Sequence, residues 1–536
     1  MLIRKTIVIF IMTAVAITPL VSYFSTVSSA DYEDIKNTSA DNVIAIRVAR
    51  HSAEGGYWST FEYILNGYEW MIGNKTYKIY TSIITDDDIF NGKLTTENYD
   101  LLVFPYSDAM KEMEKRFYPS IRNRIWKNKI TDFVKAGGGY VGYCAPAITA
   151  TGLNGKPETL LSKVVDDFNF EISGVELIFN SGIPVLSQLT GKPEKIGPIA
   201  YLWYSGAYIP LDVTVNNSNP IFDDLLECKR RISWCGGPAF ELPDDPVFNV
   251  SVLAYFPEEE MSDNESTQIH AWKYTGGIRG FVKGFIKSGG SSYGFIPGFL
   301  SYATDWKKTD KIIETNFANK PFMTMETYPN INKGRVVLCG GHPEAIVYWG
   351  GHIREVEDTN YNSLSKGFHY FVNVTPFDET PEDEFTYNWW IVRRHVAWAS
   401  KKVPNCDLPP VYGYSQVEDL ASYDQSSCFT IEGNIELSIP FSLYYLPCTI
   451  SSNLSLSLHY RYSDDGLSNW SNWTLYETDV DGSDGWSWEF NASDVNGSGF
   501  YQFYSIKKVE YHCDEEVYKI VEMAPPGPDA IARVVD

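Results

Sequence analysis

Short apolar runs alternate with amphipathic stretches over the first 400 residues of the chain. Residues 42–49, 77–83 and 100–105 are rich in β-branched and aromatic residues and have the length of buried strands. Between residues 119 and 136 the apolar positions recur on one face of a helix, and residues 140–144 form the next strand. Strands that alternate with helices in this way predict an α/β domain, in which helices flank a parallel sheet.

The pattern changes after about residue 410, where apolar and polar residues alternate with the period of a half-buried strand. Leu454, Leu456 and Leu458 show this alternation between Asp-, Gly- and Asn-rich turns. It predicts a small all-β sandwich. The segment from Tyr460 to Trp473 resembles the immunoglobulin- or fibronectin-like modules of prokaryotic surface proteins, and that resemblance implies a role in display, spacing or adhesion.

These patterns divide the chain into five segments. Residues 1–30 read as a signal peptide or signal anchor, since Arg4 and Lys5 precede an apolar stretch with small residues at its exit. The α/β domain follows over 40–403, with residues 151–333 read as long insertions within it. A linker with the Pro409-Pro410 pair covers 404–424, the sandwich 425–514 and a tail 515–536.

Composition favours a location outside the cytoplasm, either secreted or anchored at the cell surface. Eleven Asn-x-Ser/Thr sequons occur along the chain, as in glycoproteins.

Acidic residues outnumber basic ones by 68 to 44, which gives a formal charge of −24. A surface this negative repels phosphate backbones, so nucleic acid is excluded as a partner. Membrane attachment through the N-terminal segment and cell-surface partners of the sandwich remain open.

The eight cysteines are consistent with an oxidising compartment. Six of them are candidates for disulfide bonds of undetermined connectivity: Cys228, Cys235, Cys406, Cys428, Cys448 and Cys513. The two that remain are Cys144 and Cys339.

Cys144 has the context of a catalytic nucleophile. It ends a predicted strand in the run Gly142-Tyr143-Cys144-Ala145, and glycine two residues before the cysteine relieves crowding at a sharp strand-to-helix turn. The start of the following helix favours a thiolate. The backbone N–H of Ala145 is placed to stabilise an oxyanion.

Residues 99–106, 130–147 and 334–344 together resemble the class I glutamine amidotransferase-like superfamily, most closely the N-terminal domain of eukaryotic biotin-protein ligases. The resemblance implies that Cys144 is the nucleophile and that the His-x-Glu motif supplies His342 and Glu344. It places a second oxyanion donor at Ser107. Pro146 and Ile148 differ from the glycine and glutamine of glutamine-using members, so amidotransfer from glutamine is not expected.

The sequence therefore predicts an exported cysteine-dependent amide hydrolase or acyl-transfer enzyme that acts on a small-molecule or peptide amide. His342 would be the base and Glu344 would orient the imidazole. The chemistry requires neither a metal nor an organic cofactor. The alternative is a catalytically inactive surface protein that binds a ligand or peptide in the same pocket. A disulfide between Cys144 and Cys339 would favour that alternative.

Overall fold

The computed structural model describes about three fifths of the chain, in many short ranges. They are residues 43–52, 58–105, 121–153, 169–178, 201–203, 209–223, 225, 228–234, 237–242, 249–264, 267–268, 270–274, 306–312, 314–328, 333–345, 347–349, 382–411, 413, 415–436, 450–513, 516–525 and 527–536. The predicted signal segment, 1–30, lies outside them. Within these ranges no helix is both long and apolar enough to span a membrane.

The described ranges contain five α-helices and twenty-seven strands. The helices are α1 (Trp58–Leu65), α2 (Asp86–Phe90), α3 (Ile121–Lys135), α4 (Ala145–Ala150) and α5 (Trp389–Ala399). The strands before residue 345 are β1 (Val43–His51), β2 (Glu69–Ile72), β3 (Lys75–Ile84), β4 (Leu101–Phe104), β5 (Gly139–Tyr143), β6 (Gly152–Leu153), β7 (Glu176–Leu177), β8 (Tyr201–Trp203), β9 (Ile209–Val215), β10 (Lys229–Trp234), β11 (Phe240–Glu241), β12 (Asn249–Tyr255), β13 (His270–Tyr274), β14 (Trp306–Ile312), β15 (Pro321–Tyr328) and β16 (Gly334–Cys339). Those after it are β17 (Val347–Trp349), β18 (Glu382–Thr386), β19 (Ser415–Val417), β20 (Ser422–Asp424), β21 (Phe429–Ile435), β22 (Ile450–Ser463), β23 (Thr474–Asp479), β24 (Trp486–Phe490), β25 (Gly499–Cys513), β26 (Glu516–Glu522) and β27 (Ala530–Val535).

The largest sheet has ten strands in the order β10-β9-β12-β15-β16-β5-β4-β1-β3-β2. Its central strands β16, β5, β4, β1 and β3 run parallel to one another. β4, β5 and β16 read as nearly continuous apolar runs because they are buried on both faces. α1 and α5 contribute to the core on one face, and α3 and α4 contribute to the core on the other.

The predicted α/β fold, a parallel sheet flanked by helices, is wrong. β2 lies antiparallel at one edge, and β15, β12, β9 and β10 extend the other edge with antiparallel pairs. The protein is mostly β, with large mixed sheets. The error arose in residues 151–333, which were read as insertions, although four strands of this sheet lie there. Antiparallel neighbours need no helical crossover, so these residues lack the strand–helix alternation on which the prediction rested.

α5 is buried along its whole length and packs against β4, β5 and β16. Its two arginines are satisfied inside the protein. Arg393 donates to the carbonyl of Ile64 and to the Glu436 carboxylate, at 3.1 and 2.6 Å. Arg394 donates to the carbonyl of Pro409 at 2.7 Å. Because a buried charge is tolerated only with such partners, α5 is held in one position between the sheet and the chain that follows it.

The C-terminal part contains two sheets that enclose a separate core. One sheet runs β17-β18-β26-β25-β22-β23 with β27 and β20 beside it, and the other runs β19-β21-β24. Ile431 and Trp488 from the small sheet and Leu456 and Phe503 from the large sheet belong to this core.

Two features of the large C-terminal sheet bear on the predicted boundaries. Residues 515–536, predicted as a tail, contain β26 and β27. The alternation of apolar and polar residues in each strand is too short to distinguish it from an irregular segment. β18, from the predicted N-terminal domain, pairs in parallel with β26. Since β17 begins three residues after Glu344, the C-terminal sheet is joined to the loop that carries the predicted site.

Candidate functional site

Cys144 occupies a strained turn between β5 and α4. Its backbone has φ 56° and ψ −116°, a conformation that side-chain-bearing residues rarely adopt. Its N–H donates to the Cys339 carbonyl at 2.8 Å, and Pro146 lies in the first turn of α4. Such strain costs of the order of 1–3 kcal/mol and concentrates at functional positions. The conformation is the sharp strand-to-helix turn that the sequence pattern predicts.

Gly142 is required by this turn. A Cβ at position 142 would lie 2.9 Å from the Tyr140 ring and 3.1 Å from the backbone of Pro146. The Tyr140 hydroxyl donates to the Pro146 carbonyl at 2.9 Å, which ties the start of α4 back onto β5. The glycine two residues before the cysteine therefore serves the steric purpose expected of it.

His342 and Glu344 reach Cys144 because β5 and β16 are parallel neighbours. Tyr143 is paired with Cys339, so the chain leaves both strands side by side. The His342 N–H donates to the Ser233 carbonyl at 2.8 Å. His342 Nδ1 lies 2.8 Å from Glu344 Oε1, and the Cys144 side chain is near enough to the same imidazole to raise its pKa. The structure thus brings together the three predicted residues in the order thiol, imidazole, carboxylate.

The electrostatics of the site favour a charged imidazole. Burial alone would lower the pKa of His342, but the Glu344 carboxylate and the Cys144 sulfur outweigh it and hold that pKa well above its usual value. In the same pocket, burial raises the pKa of the Cys339 thiol well above its ordinary range. Burial therefore disfavours the thiolate of Cys339, whereas Glu344 and Cys144 favour the imidazolium form of His342.

The site is closed to solvent. Cys144 is 1% exposed, His342 0% and Glu344 8%. Gly237 packs directly over Cys144. A Cβ at position 237 would lie 1.9 Å from the Gly340 carbonyl oxygen and 3.4 Å from Cys144 Cα. The described residues of segment 234–238 cover the cysteine, and Trp234 Nε1 donates to the Gly237 carbonyl at 3.0 Å.

The predicted oxyanion donors are described only in part. Ala145 begins α4, directly after Cys144, but its side chain is not among the described atoms. Ser107 lies outside the described residues. The predicted oxyanion hole therefore stays a prediction.

Cys144 and Cys339 are both thiols, with no disulfide between them. Cys228, Cys406 and Cys428 are exposed thiols. Cys235, Cys448 and the side chain of Cys513 lie outside the described part of the chain, and the predicted pairings stay predictions.

Two residues of α5 contact residues of the site, and neither was predicted from the sequence. His395 Nδ1 hydrogen-bonds to the Tyr143 hydroxyl at 3.1 Å, next to Cys144. Trp389 Nε1 donates to the Glu344 carbonyl at 2.8 Å. Both contacts join residues that lie far apart in the chain. The only local signal was a run of tryptophans and a histidine in an otherwise apolar helix, which is equally typical of a buried core helix.

His395 makes the protein sensitive to acid. Burial lowers the pKa of His395 to about 3, so the folded state excludes a proton that the unfolded chain binds below pH 6.5. The contribution of His395 to the free energy of unfolding is fully present above pH 6.5 and is lost as the pH falls towards 3. Between pH 6.5 and 4.5, wild type is expected to lose about 2–3 kcal/mol more free energy of unfolding than His395→Gln. Urea unfolding followed by tryptophan fluorescence at both pH values measures this difference. Equal losses would show that His395 is protonated in the folded state.

Among the described residues, no group of three or more His, Cys, Asp and Glu side chains is placed to hold a metal ion. No family model matches the chain, and no curated protein sequence is significantly similar to it.

Proposed function

We propose that this protein is an exported cysteine-dependent amide hydrolase or acyl-transfer enzyme. The observation that carries the proposal is the strained Cys144 beside His342, whose Nδ1 lies 2.8 Å from Glu344 Oε1. A nucleophilic cysteine needs a base within hydrogen-bonding reach, and the base needs an acceptor that fixes its orientation. Each requirement is met by a different residue of the set Cys144, His342 and Glu344.

The chemistry follows from the arrangement. His342 takes the proton of the Cys144 thiol, and the sulfur attacks the acyl carbon of an amide while the carbonyl π electrons move onto its oxygen to give a tetrahedral intermediate. When that intermediate collapses, the bond from carbon to the leaving amine breaks and His342 donates its proton to the amine. Glu344 stabilises the imidazolium before this transfer and fixes the tautomer after it. Water or a second amine then attacks the thioester and gives a proton to the neutral His342. The carbon–sulfur bond breaks, and Cys144 leaves as a thiolate beside the imidazolium.

The resemblance to the glutamine amidotransferase-like superfamily supports the same reaction class. It concerns the order and roles of the cysteine and the His-x-Glu motif, and the proposal takes nothing else from it. Pro146 and Ile148 favour an acyl donor other than glutamine. The sequons and the apolar N-terminal segment support a place outside the cytoplasm.

The closure of the site favours a second candidate, a catalytically inactive surface protein that binds a ligand or peptide in the same pocket. Cys144 and His342 are almost completely buried, and Gly237 covers the cysteine. An active enzyme must move this cover to admit a substrate. A binding protein would keep the pocket outline without a reactive thiol.

Alkylation of Cys144 by iodoacetamide separates the two candidates. His342→Ala is expected to slow alkylation at pH 7 by about 100-fold, because the imidazolium that stabilises the reactive sulfur is lost. Peptide mapping by mass spectrometry reports Cys144 separately from the exposed Cys228, Cys406 and Cys428. His459→Gln, which removes a histidine of β22 in the C-terminal sheet, is the control and should leave the rate unchanged. Equal rates in wild type and His342→Ala would favour the inactive binding protein.

A further inference from the structure

The turn that begins α5 contacts the candidate site at Glu344. Trp389 is buried, and its indole N–H donates to the Glu344 backbone carbonyl at 2.8 Å. The loop that carries Glu344 is otherwise held by few described backbone bonds, among them Ala345 N–H to the His342 carbonyl at 3.1 Å. The indole is therefore a specific anchor for the carboxylate-bearing residue.

The same turn also fixes β10, the strand whose Ser233 carbonyl accepts the His342 N–H. Asn388 Nδ2 donates to the Arg231 carbonyl at 2.8 Å, and Asn388 Oδ1 accepts from Arg230 Nε at 2.8 Å. Both arginines belong to β10, whose Ser233 carbonyl accepts the His342 N–H. Two consecutive residues of the turn thus fix two successive parts of the site, the backbone of His342 through β10 and the backbone of Glu344 directly.

The turn can act as an anchor because it is itself fixed on its outer side. Tyr387 donates its hydroxyl hydrogen to the Glu436 carboxylate, and Arg393 pairs with the same carboxylate at 2.6 Å. The Arg393 guanidinium also lies 4.0 Å from the centre of the Tyr68 ring. Glu436 follows β21, so the C-terminal part of the chain contributes to the rigidity of this turn.

We propose that Trp389 is a positioning residue that holds Glu344 in register with His342 and Cys144. This inference rests on the proposed function of the triad. The indole does not touch reacting atoms. Without its N–H, the Glu344 carbonyl loses a buried partner, and the loop is expected to relax so that the carboxylate no longer holds the imidazole at 2.8 Å.

The consequence is measurable because the charges that bear on His342 are those of Glu344 and Cys144. Glu344→Gln removes the carboxylate charge and gives the full effect. Trp389→Phe keeps a large apolar ring but removes the donor, and so it should give part of that effect. Trp390→Phe is the matched control, since Trp390 is the next residue of the helix and equally buried, and its indole nitrogen has no hydrogen-bond partner among the described residues.

The experiment is the pH profile of Cys144 alkylation by iodoacetamide in the full chain, from pH 5 to 9, for wild type and these variants. In wild type, the His342-dependent inflection is expected above the range of an ordinary histidine. Glu344→Gln should move it down by about one pH unit or more, and Trp389→Phe should move it in the same direction by a smaller amount. Trp390→Phe should superimpose on wild type. Urea midpoints for both tryptophan variants show whether each remains folded.

The outcomes separate this inference from the function on which it rests. If wild type and His342→Ala give the same profile, the proposed function fails and the positioning role fails with it. If the profile depends on His342 but Trp389→Phe superimposes on wild type, the positioning role alone is overturned. Equal shifts in Trp389→Phe and Trp390→Phe would also overturn it, because they would reveal a packing effect of the helix.

Discussion

Replacing Cys144 by alanine is expected to abolish turnover and leave the protein folded. The substituted side chain is small and keeps the Cβ that the φ 56° backbone already accommodates, so the turn should persist. Loss of the nucleophile in a site of this type lowers the rate by a factor of about 10⁴ or more. The measurement is hydrolysis of a panel of p-nitrophenyl esters and p-nitroanilides by wild type and by Cys144→Ala.

Cys339→Ala is the matched control for this prediction. Cys339 is also a fully buried thiol, on the neighbouring strand β16, and burial raises its pKa. Its backbone carbonyl accepts from the Cys144 N–H and is retained by the substitution, whereas its Sγ accepts from the Gly341 N–H at 3.3 Å and is lost. Turnover in Cys339→Ala should therefore fall much less than in Cys144→Ala, because only a weak sulfur hydrogen bond is removed. Equal turnover in wild type and Cys144→Ala would exclude Cys144 as the nucleophile.

Cys144→Gly separates the strain from the chemistry. Glycine adopts positive φ without steric cost, so this variant is expected to gain about 1 kcal/mol of stability as it loses turnover. The same side chain would then be unfavourable for folding and required for the reaction, which is the relationship expected of a catalytic residue.

The local geometry of Cys144 was predictable because its determinants are adjacent in the sequence. Gly142 is needed for steric reasons within the same turn, and Pro146 is tolerated only in the first turn of α4. The pairing with His342 and Glu344 was also within reach. It depends on two buried strands being parallel neighbours, and each of those strands is a continuous apolar run.

The rest of the fold was not predictable by the same means. β12 joins the main sheet through antiparallel pairs with β9 and β15, such as Ala254 with Val215 and Asn249 with Thr327, which lie far apart in the chain. Their register is set by tertiary packing, which leaves little trace in local propensity. The supporting contacts of Trp389 and His395 have the same character, since each depends on α5 returning to the sheet some 250 residues after Cys144 or 45 residues after Glu344.

The C-terminal part was predicted as a separate surface module. Contacts around α5 connect it to residues that support the candidate site. Glu436 accepts hydrogen bonds from Tyr387 and Arg393, on either side of Trp389. β18 pairs with β26, so the chain that leaves Glu344 enters the C-terminal sheet. A change in the C-terminal part can therefore reach the triad through packed, buried groups, without contact with Cys144.

The cover over Cys144 leads to the second prediction with a large expected effect. Gly237→Ala would place a Cβ 1.9 Å from the Gly340 carbonyl oxygen. The Cβ is fixed to the backbone at position 237, and the oxygen it meets is itself a backbone atom. No side chain can rotate away, so the 237–238 segment and the loop before His342 must separate. We expect the free energy of unfolding to fall by about 3 kcal/mol, as for overpacked cores. Turnover should fall by about 100-fold, because a displacement of roughly 1 Å in a catalytic group has that consequence.

Gly152→Ala is the control for this second prediction, because a Cβ at position 152 meets no atom within 4 Å. It should leave both the urea midpoint and turnover at their wild-type values. A Gly237→Ala protein that is as stable as wild type would show that the segment leaves Cys144 at little cost, and the closed packing would then not be the dominant state. A protein that is less stable but alkylates faster at Cys144 would show that the cover limits access to the thiol.

Since the Gly340 carbonyl and Cys144 Cα lie on the same side of Gly237, the closed packing and the alignment of the triad depend on the same few contacts. In the proposed enzyme, any motion that admits a substrate must break those contacts and restore them in each cycle.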